Sequence, residues 1–168
     1  MVSLFGFVSL FIALVCISAI VVHYRIMRRR APVDLLILEL ENLFRTRIEI
    51  LYNLSTPHSL LRNLCDQYID TNLASLLDAL PDIIEAYENT SDTEEVFLED
   101  GEEESSQINN EDYEAYTKAL EENYNTTEDA IASLNKKIED YNNFITKGVS
   151  NILMAKVLGL SEEETISI

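Results

Sequence analysis

VSLFGFVSLFIALVCISAIVV, residues 2–22, contains no charged residue and no proline. As a helix, at about 1.5 Å per residue, it spans roughly 31 Å, close to the hydrocarbon thickness of a bilayer at about 30 Å. Fourteen of its side chains are Leu, Ile, Val or Phe. At about −0.3 to −0.6 kcal/mol apiece they contribute roughly −4 to −8 kcal/mol to insertion, and Ser3, Gly6, Ser9 and Ser18 oppose this only modestly. One membrane crossing is the expected outcome. A cleaved signal peptide fits less well, because no Lys or Arg precedes the apolar run and the run exceeds the usual length of about 7 to 15 residues. Cys16 follows Leu14 and Val15, so no lipobox surrounds it.

Charge sets the orientation. Met1 to Val33 contain no acid, and Arg25, Arg28, Arg29 and Arg30 all follow the apolar segment. By the positive-inside rule the N-terminus lies outside and the rest of the chain lies in the cytoplasm, at the plasma membrane. Near the surface each of these arginines contributes about 1 kcal/mol of attraction to anionic lipid. Gly6, Ser9, Ala13 and Cys16 recur at spacings of three, four and three, so they line one face of the span and offer a close approach for self-association into a homo-oligomer.

Residues 1–30 therefore read as an anchor and 31–168 as one helical domain, a size usual for a single compact unit. That domain carries all 30 acids of the chain and only eight bases, a balance of −22. Such a body is repelled by phosphate backbones, which excludes nucleic acid as a partner. Glycine and proline number only 4 and 3, which disfavours turn-rich sheets and suits long helices. The expected fold is all-α, a single transmembrane helix followed by an up-and-down bundle of three or four long helices.

Within the domain, Ala31-Pro32 marks a helix start or a kink. Val33, Ile37, Leu40, Phe44, Ile48 and Leu51 follow at helical spacing. Ser55-Thr56-Pro57 reads as a stop and restart, with Thr56 as a cap and Pro57 in the next first turn. A further helix carries Leu61, Leu64, Cys65, Tyr68, Leu73, Leu76 and Leu77, and Pro81 is expected to interrupt it before a short segment at Asp82 to Tyr87. Residues 89–110 read as a flexible acidic loop, since no Lys or Arg occurs between Asn63 and Thr117. Asn110, Glu111 and Asp112 open the last long helix. There Leu120, Tyr124, Thr127, Ile131, Leu134, Ile138, Tyr141 and Ile145 alternate spacings of four and three, a coiled-coil seam that needs a partner helix. Asn125 with Glu128 resembles a capping box, which leaves two outcomes open, a break near residue 125 or an unbroken helix that overhangs its neighbours.

Leu134-Asn-Lys-Lys-Ile-Glu-Asp-Tyr-Asn142 resembles the tandem Tyr-Asn heptads of the LemA family, with Leu134 in place of the first tyrosine. Asn151-Ile-Leu-Met-Ala-Lys-Val-Leu-Gly-Leu160 is similar to that family's closing segment, and Arg47-Ile-Glu-Ile-Leu-Tyr-Asn-Leu54 with Ser59-Leu-Leu61 to the entry of its second helix. Asp78-Ala-Leu-Pro-Asp82 is a weaker echo. Lys147-Gly148-Val149 stands where the family has a Phe-Pro pair, Pro57 is displaced from the usual proline position, and the acidic loop looks like an insertion. The resemblance implies a divergent bacterial member, with a membrane helix and a cytoplasmic helical bundle. It carries over no catalytic residue.

The residues themselves give no chemistry to set against that. Neither His23 nor His58 has a Glu three positions earlier, so the di-iron helix motif fails. The acidic loop fails as an EF-hand, because Val96 holds the first position that Gly101 would require. Cys65 lies on an apolar face without a basic neighbour, and Cys16 lies in the apolar span, so neither a nucleophile nor a disulfide is expected. Tyr113, Tyr116, Tyr124 and Tyr141 fall at helical spacing and read as packing residues. Asn135 and Asn142 sit one heptad apart beside the seam, fitting hydrogen bonds that fix register or, more sharply, a stripe that reads a partner. The expectation is a non-enzymatic interaction or scaffold module without cofactor or metal, facing the lipid bilayer and a protein partner. The competing expectation is an envelope coiled-coil protein of the cell-division or phage-lysis type, with its helical domain outside the membrane.

Overall fold

A computed structural model describes residues 4–55, 59–69, 71–97 and 110–166, with side chains at 6–89 and 111–166 within those spans. Thr56 and Pro57, the acidic stretch 98–109 and residues 1–3 lie outside the described residues. Five helices occur among them and no strand: α1 Leu4–Leu54, α2 Leu60–Tyr68, α3 Leu73–Phe97, α4 Asn110–Thr146 and α5 Val149–Val157.

The chain divides into two compact units. Met1–Ile37 and Ile131–Ile168 make up the first, and Leu38–Ala130 the second. The first unit joins the apolar N-terminal part of α1 to the last part of the chain. Its buried residues are Ile26, Val33, Leu134, Ile138, Tyr141, Ile145 and Ala155. The second is built on Leu40, Phe44, Ile48, Leu51, Leu61, Cys65, Leu76, Leu80, Ile83 and Leu120.

Helix α1 is continuous over 51 residues, about 76 Å at 1.5 Å per residue. The start or kink expected at Pro32 does not divide it. An interior proline costs about 3 kcal/mol, but Ile26, Val33 and Leu40, at intervals of seven, are each at most 1% exposed. Burial of one continuous face on both sides of the proline offsets that cost. Among the described residues α1 is the one helix long and apolar enough to cross a membrane, and none of its most apolar window is buried. Phe7, Leu10, Phe11, Leu14, Ile17 and Ile20 are all more than half exposed, so this stretch adds nothing to the protein's core.

Three further expectations are corrected. Pro81 lies inside α3, which runs unbroken from Leu73 to Phe97. Ala79, Leu80 and Ile83 are buried around it while Pro81 is exposed, so its ring lies on the outer face. Residues 89–97, read as loop, have helical backbone in α3. Conversely, the single helix expected over Leu61–Leu77 is two. Asn72 opens α3 by accepting from the Ser75 N–H at 3.0 Å, and Ser59 caps α2 by accepting from the Arg62 N–H at 3.1 Å. Arg45 of α1 donates to the Ile69 carbonyl at 2.7 Å and the Thr71 carbonyl at 2.8 Å, while Glu41 holds the same guanidinium at 2.9 Å. A helix end leaves its last carbonyls without intrahelical donors, and Arg45 supplies them here.

Helix α4 begins at Asn110 with Glu111 and Asp112 in its first turn, and it passes through residue 125 without a break. The Thr127 hydroxyl bonds back to the Asn123 carbonyl at 2.7 Å, within the helix. Asn151 closes α4 by donating to the Phe144 carbonyl at 3.0 Å and the Lys147 carbonyl at 2.8 Å. Gly148, at φ 89, then turns the chain into α5. At the far end of α5, Leu160 N–H bonds the Ala155 carbonyl at 2.9 Å and Gly159 N–H the Lys156 carbonyl at 3.2 Å. That pair of bonds, with Gly159 at φ 65, is a Schellman ending. Gly159→Ala is expected to cost about 1 kcal/mol, because the left-handed conformation crowds a Cβ. Thermal unfolding measures it, and an unchanged midpoint would remove the turn from the stabilising features.

Candidate functional site

Each unit carries one polar cluster, buried in the second and exposed in the first. In the second unit Arg47 is buried, at 2% exposure. Its Nε donates to Asn123 Oδ1 at 2.9 Å, and Asn123 Nδ2 donates to the Leu43 carbonyl at 2.9 Å. The guanidinium lies 3.8 Å from the centroid of the Tyr124 ring and 5.2 Å from that of Phe44. No carboxylate pairs with it among the described residues. Burial lowers the Arg47 pKa, with the Tyr124 hydroxyl opposing the shift. Two aromatic faces and one amide oxygen thus do the work that an acid usually does for a buried cation.

In the first unit the four arginines that follow the apolar run divide into two groups. Arg30 is committed: its guanidinium lies 3.3 Å from Glu163 and 3.6 Å from Asp34, all partly exposed. Arg25, Arg28 and Arg29 are exposed. With Pro32 of α1 and Lys137, Asp140 and Phe144 of α4 they line an open cleft of about 410 Å³, and Arg29 stacks over the Phe144 ring at 4.4 Å. Four cations and one acid make this cleft positive in a chain whose net charge is −18. The Tyr141 side chain is fully buried, with Arg30, Glu163 and Asp34 near its hydroxyl. Burial raises its pKa, and the nearby Arg30 charge offsets this only in part.

Asn135 and Asn142 face the segment that follows Gly159. Asn142 Nδ2 donates to the Glu163 carbonyl at 2.8 Å, and the Glu163 N–H donates to Asn142 Oδ1 at 2.9 Å. Asn135 Nδ2 donates to the Ile166 carbonyl at 2.7 Å, and the Ile166 N–H donates to Asn135 Oδ1 at 2.9 Å. These side chains hold main chain, and no tail side chain takes part in the four bonds.

Of the seam residues, Leu120, Leu134, Ile138, Tyr141 and Ile145 are buried, Ile131 is half-buried and Tyr124 is 39% exposed. Asn123, Thr127 and Ala130 are the buried residues between Leu120 and Leu134. Gly6, Ser9, Ala13 and Cys16 are all exposed on α1. Sequence reasoning passed over Arg47, Asn123 and Arg45. The available signal was the scarcity of bases: Arg45, Arg47, Arg62 and Lys118 are the only Lys or Arg in Leu38–Ala130. The three arginines among them bind side chains or carbonyls, Arg62 donating to the Tyr52 hydroxyl at 2.8 Å.

No group of three or more His, Cys, Asp or Glu that could hold a metal occurs among the described residues. Cys65 is fully buried, and burial followed by the Asp66 charge pushes its thiol up to about 11 from 9.0. A thiol raised in this way keeps its proton in the fold after the unfolded chain has lost it. Stability from this group is therefore complete below pH about 9 and falls as pH rises toward about 11. Cys65→Ala is expected to flatten that limb of a stability–pH curve relative to wild type, and parallel curves would dismiss the effect. No family model matches the chain, and the searches of curated proteins and of solved structures also gave no match.

Proposed function

We propose that the chain is a single-pass membrane protein whose acidic helical domain is a non-catalytic interaction module on the cytoplasmic side, in the manner the LemA resemblance implies. The observation that carries the reading is the character of α1: an apolar window of mean hydropathy 2.5 with none of it buried, continuous with a helix whose later turns are packed. An exposed apolar surface of that size needs lipid or a partner to cover it. Arg25, Arg28 and Arg29 then meet anionic headgroups, and the acids beyond them hold the domain off the same surface. The finer architecture in this reading is a bundle of the long helices beyond the span, packed around the seam on α4.

Thiol accessibility tests the orientation, but Cys65 is a poor probe because it is fully buried. A chain with Cys16→Ser, Cys65→Ser and Glu121→Cys places one thiol at an exposed position of α4. A membrane-impermeant reagent is expected to label it only after lysis. Labelling in intact cells would put the domain outside and favour the envelope coiled-coil alternative. Recovery of the untreated protein in the soluble fraction would end both readings.

A further inference from the structure

The two asparagines on α4 are matched to an extended peptide. Seven residues of helix separate Asn135 from Asn142, a rise of about 10.5 Å. Three residues separate Glu163 from Ile166, one turn of a threefold extended chain, and they cover about 9 Å. Each asparagine exchanges both an N–H and a carbonyl with one tail residue. This is the bonding that a neighbouring strand gives in a sheet, delivered by side chains at a helical heptad interval. Residues 160–166 have no helical or strand assignment of their own, so the ladder supplies partners for a backbone that lacks internal ones.

Recognition of this kind is largely indifferent to side chains. One side-chain contact adds a preference, the Arg30 guanidinium on Glu163 at 3.3 Å, so the favoured occupant is an extended segment with an acid at the first rung. The segment follows a short helix flanked by two turns. Gly148 and Gly159, both at positive φ, bracket the nine-residue α5. An identical element exchanged between two copies is a low-cost route to a dimer.

We propose that Asn135, Asn142 and Arg30 form a backbone-reading peptide site, and that its occupant in trans is the segment Ser161–Ile166 of a second copy of this chain. The tail seated in its own site is the closed monomer, and exchange of tails links two copies. The site goes beyond the interaction-module reading and does not need the membrane, so it survives even if the orientation proves reversed.

The test uses the full chain in detergent micelles. In a tail-disabled form, Glu163→Pro with Ile166→Pro removes both donated N–H groups; in a clamp-disabled form, Asn135→Leu with Asn142→Leu removes both side-chain amides. A labelled peptide of residues 159–168 is expected to bind the tail-disabled form saturably and wild type about tenfold more weakly, because the native tail competes. The clamp-disabled form and a peptide with proline at both rungs are expected not to bind. Differently tagged copies, one tail-disabled and one clamp-disabled, are expected to co-purify, whereas two copies of either single form are not. Circular dichroism establishes that each variant is folded, and a chain ending at Leu160 replaces the proline form if that one is not. Failure of the peptide to bind, or equal binding of the proline peptide, overturns the site. Peptide binding without association of the complementary copies overturns the second copy as its occupant and leaves an intramolecular strap.

Discussion

Arginine at both Ile12 and Val15 is expected to release the full-length protein from a carbonate-washed membrane pellet into the soluble fraction. Ile12 lies at the centre of residues 2–22. A charge there costs about 2.5 to 3.5 kcal/mol on an insertion scale, and each replaced apolar residue forfeits about 0.3 to 0.6 kcal/mol more. Two such changes total roughly 6 to 8 kcal/mol, as large as the whole favourable term of about −4 to −8 kcal/mol. The packed part of the protein should be untouched, because both side chains are at least half exposed. The expected result is thus a changed fraction with an unchanged unfolding midpoint in detergent. If instead the double variant unfolds, the apolar stretch serves as core against some other surface and the span is lost as an explanation.

The second large effect is Arg47→Ala, expected to destabilise the protein by about 3 to 5 kcal/mol. The substitution removes a charge-assisted bond to Asn123 Oδ1 and leaves that buried oxygen bare, each worth about 1 to 3 kcal/mol. It also removes the stacking on Tyr124, about 2 kcal/mol when desolvated. These contributions overlap and do not simply add. Asn123→Leu leaves the Arg47 Nε without its acceptor and should cost about 2 to 3 kcal/mol. Combining Arg47→Met with Asn123→Leu should recover much of the loss, because replacing both members of a buried polar pair avoids stranding either. Denaturant unfolding of wild type, the Arg47→Met and Asn123→Leu singles, and their double gives the coupling. A coupling below about 0.5 kcal/mol would mean the two residues act independently and the bond carries little.

The sequence made the helices legible and their interruptions much less so. The apolar run of α1, the start of α4 at Asn110 and the absence of strand among the described residues follow from periodicity and charge. Pro32 and Pro81 misled because a proline signals only its local cost. That cost was outweighed by Ile26, Val33 and Leu40 around the first and by Leu80 and Ile83 around the second, all distant in their effect. The gap between α2 and α3 was missed for the converse reason: Leu73, Leu76 and Leu77 continue the apolar rhythm of Leu61 and Cys65. Only Asn72 as a cap, and Arg45 reaching Ile69 and Thr71 from 24 and 26 residues away, reveal the turn. Hydrophobic spacing placed Tyr124 and Ile131 on the seam. Burial favours Asn123 and Ala130, because a polar residue that satisfies Arg47 is invisible to an apolar pattern. The heptad pair Asn135 and Asn142 was visible as a motif, but the segment it holds follows more than 20 residues later, beyond any local signal.

The unbroken course of α1 couples phase to position. Its exposed apolar turns and the turns bearing Ile26 and Val33 belong to one helix. Each added residue in such a rod advances the azimuth by about 100°. One alanine inserted between His23 and Tyr24 would therefore swing the stripe of Gly6, Ser9, Ala13 and Cys16 by more than a quarter turn against the buried face that begins at Ile26. Seven would return it to within about 20° while lengthening the rod by about 10 Å. Rotation of the stripe about the helix axis is thereby tied, residue by residue, to the packed turns that begin at Ile26.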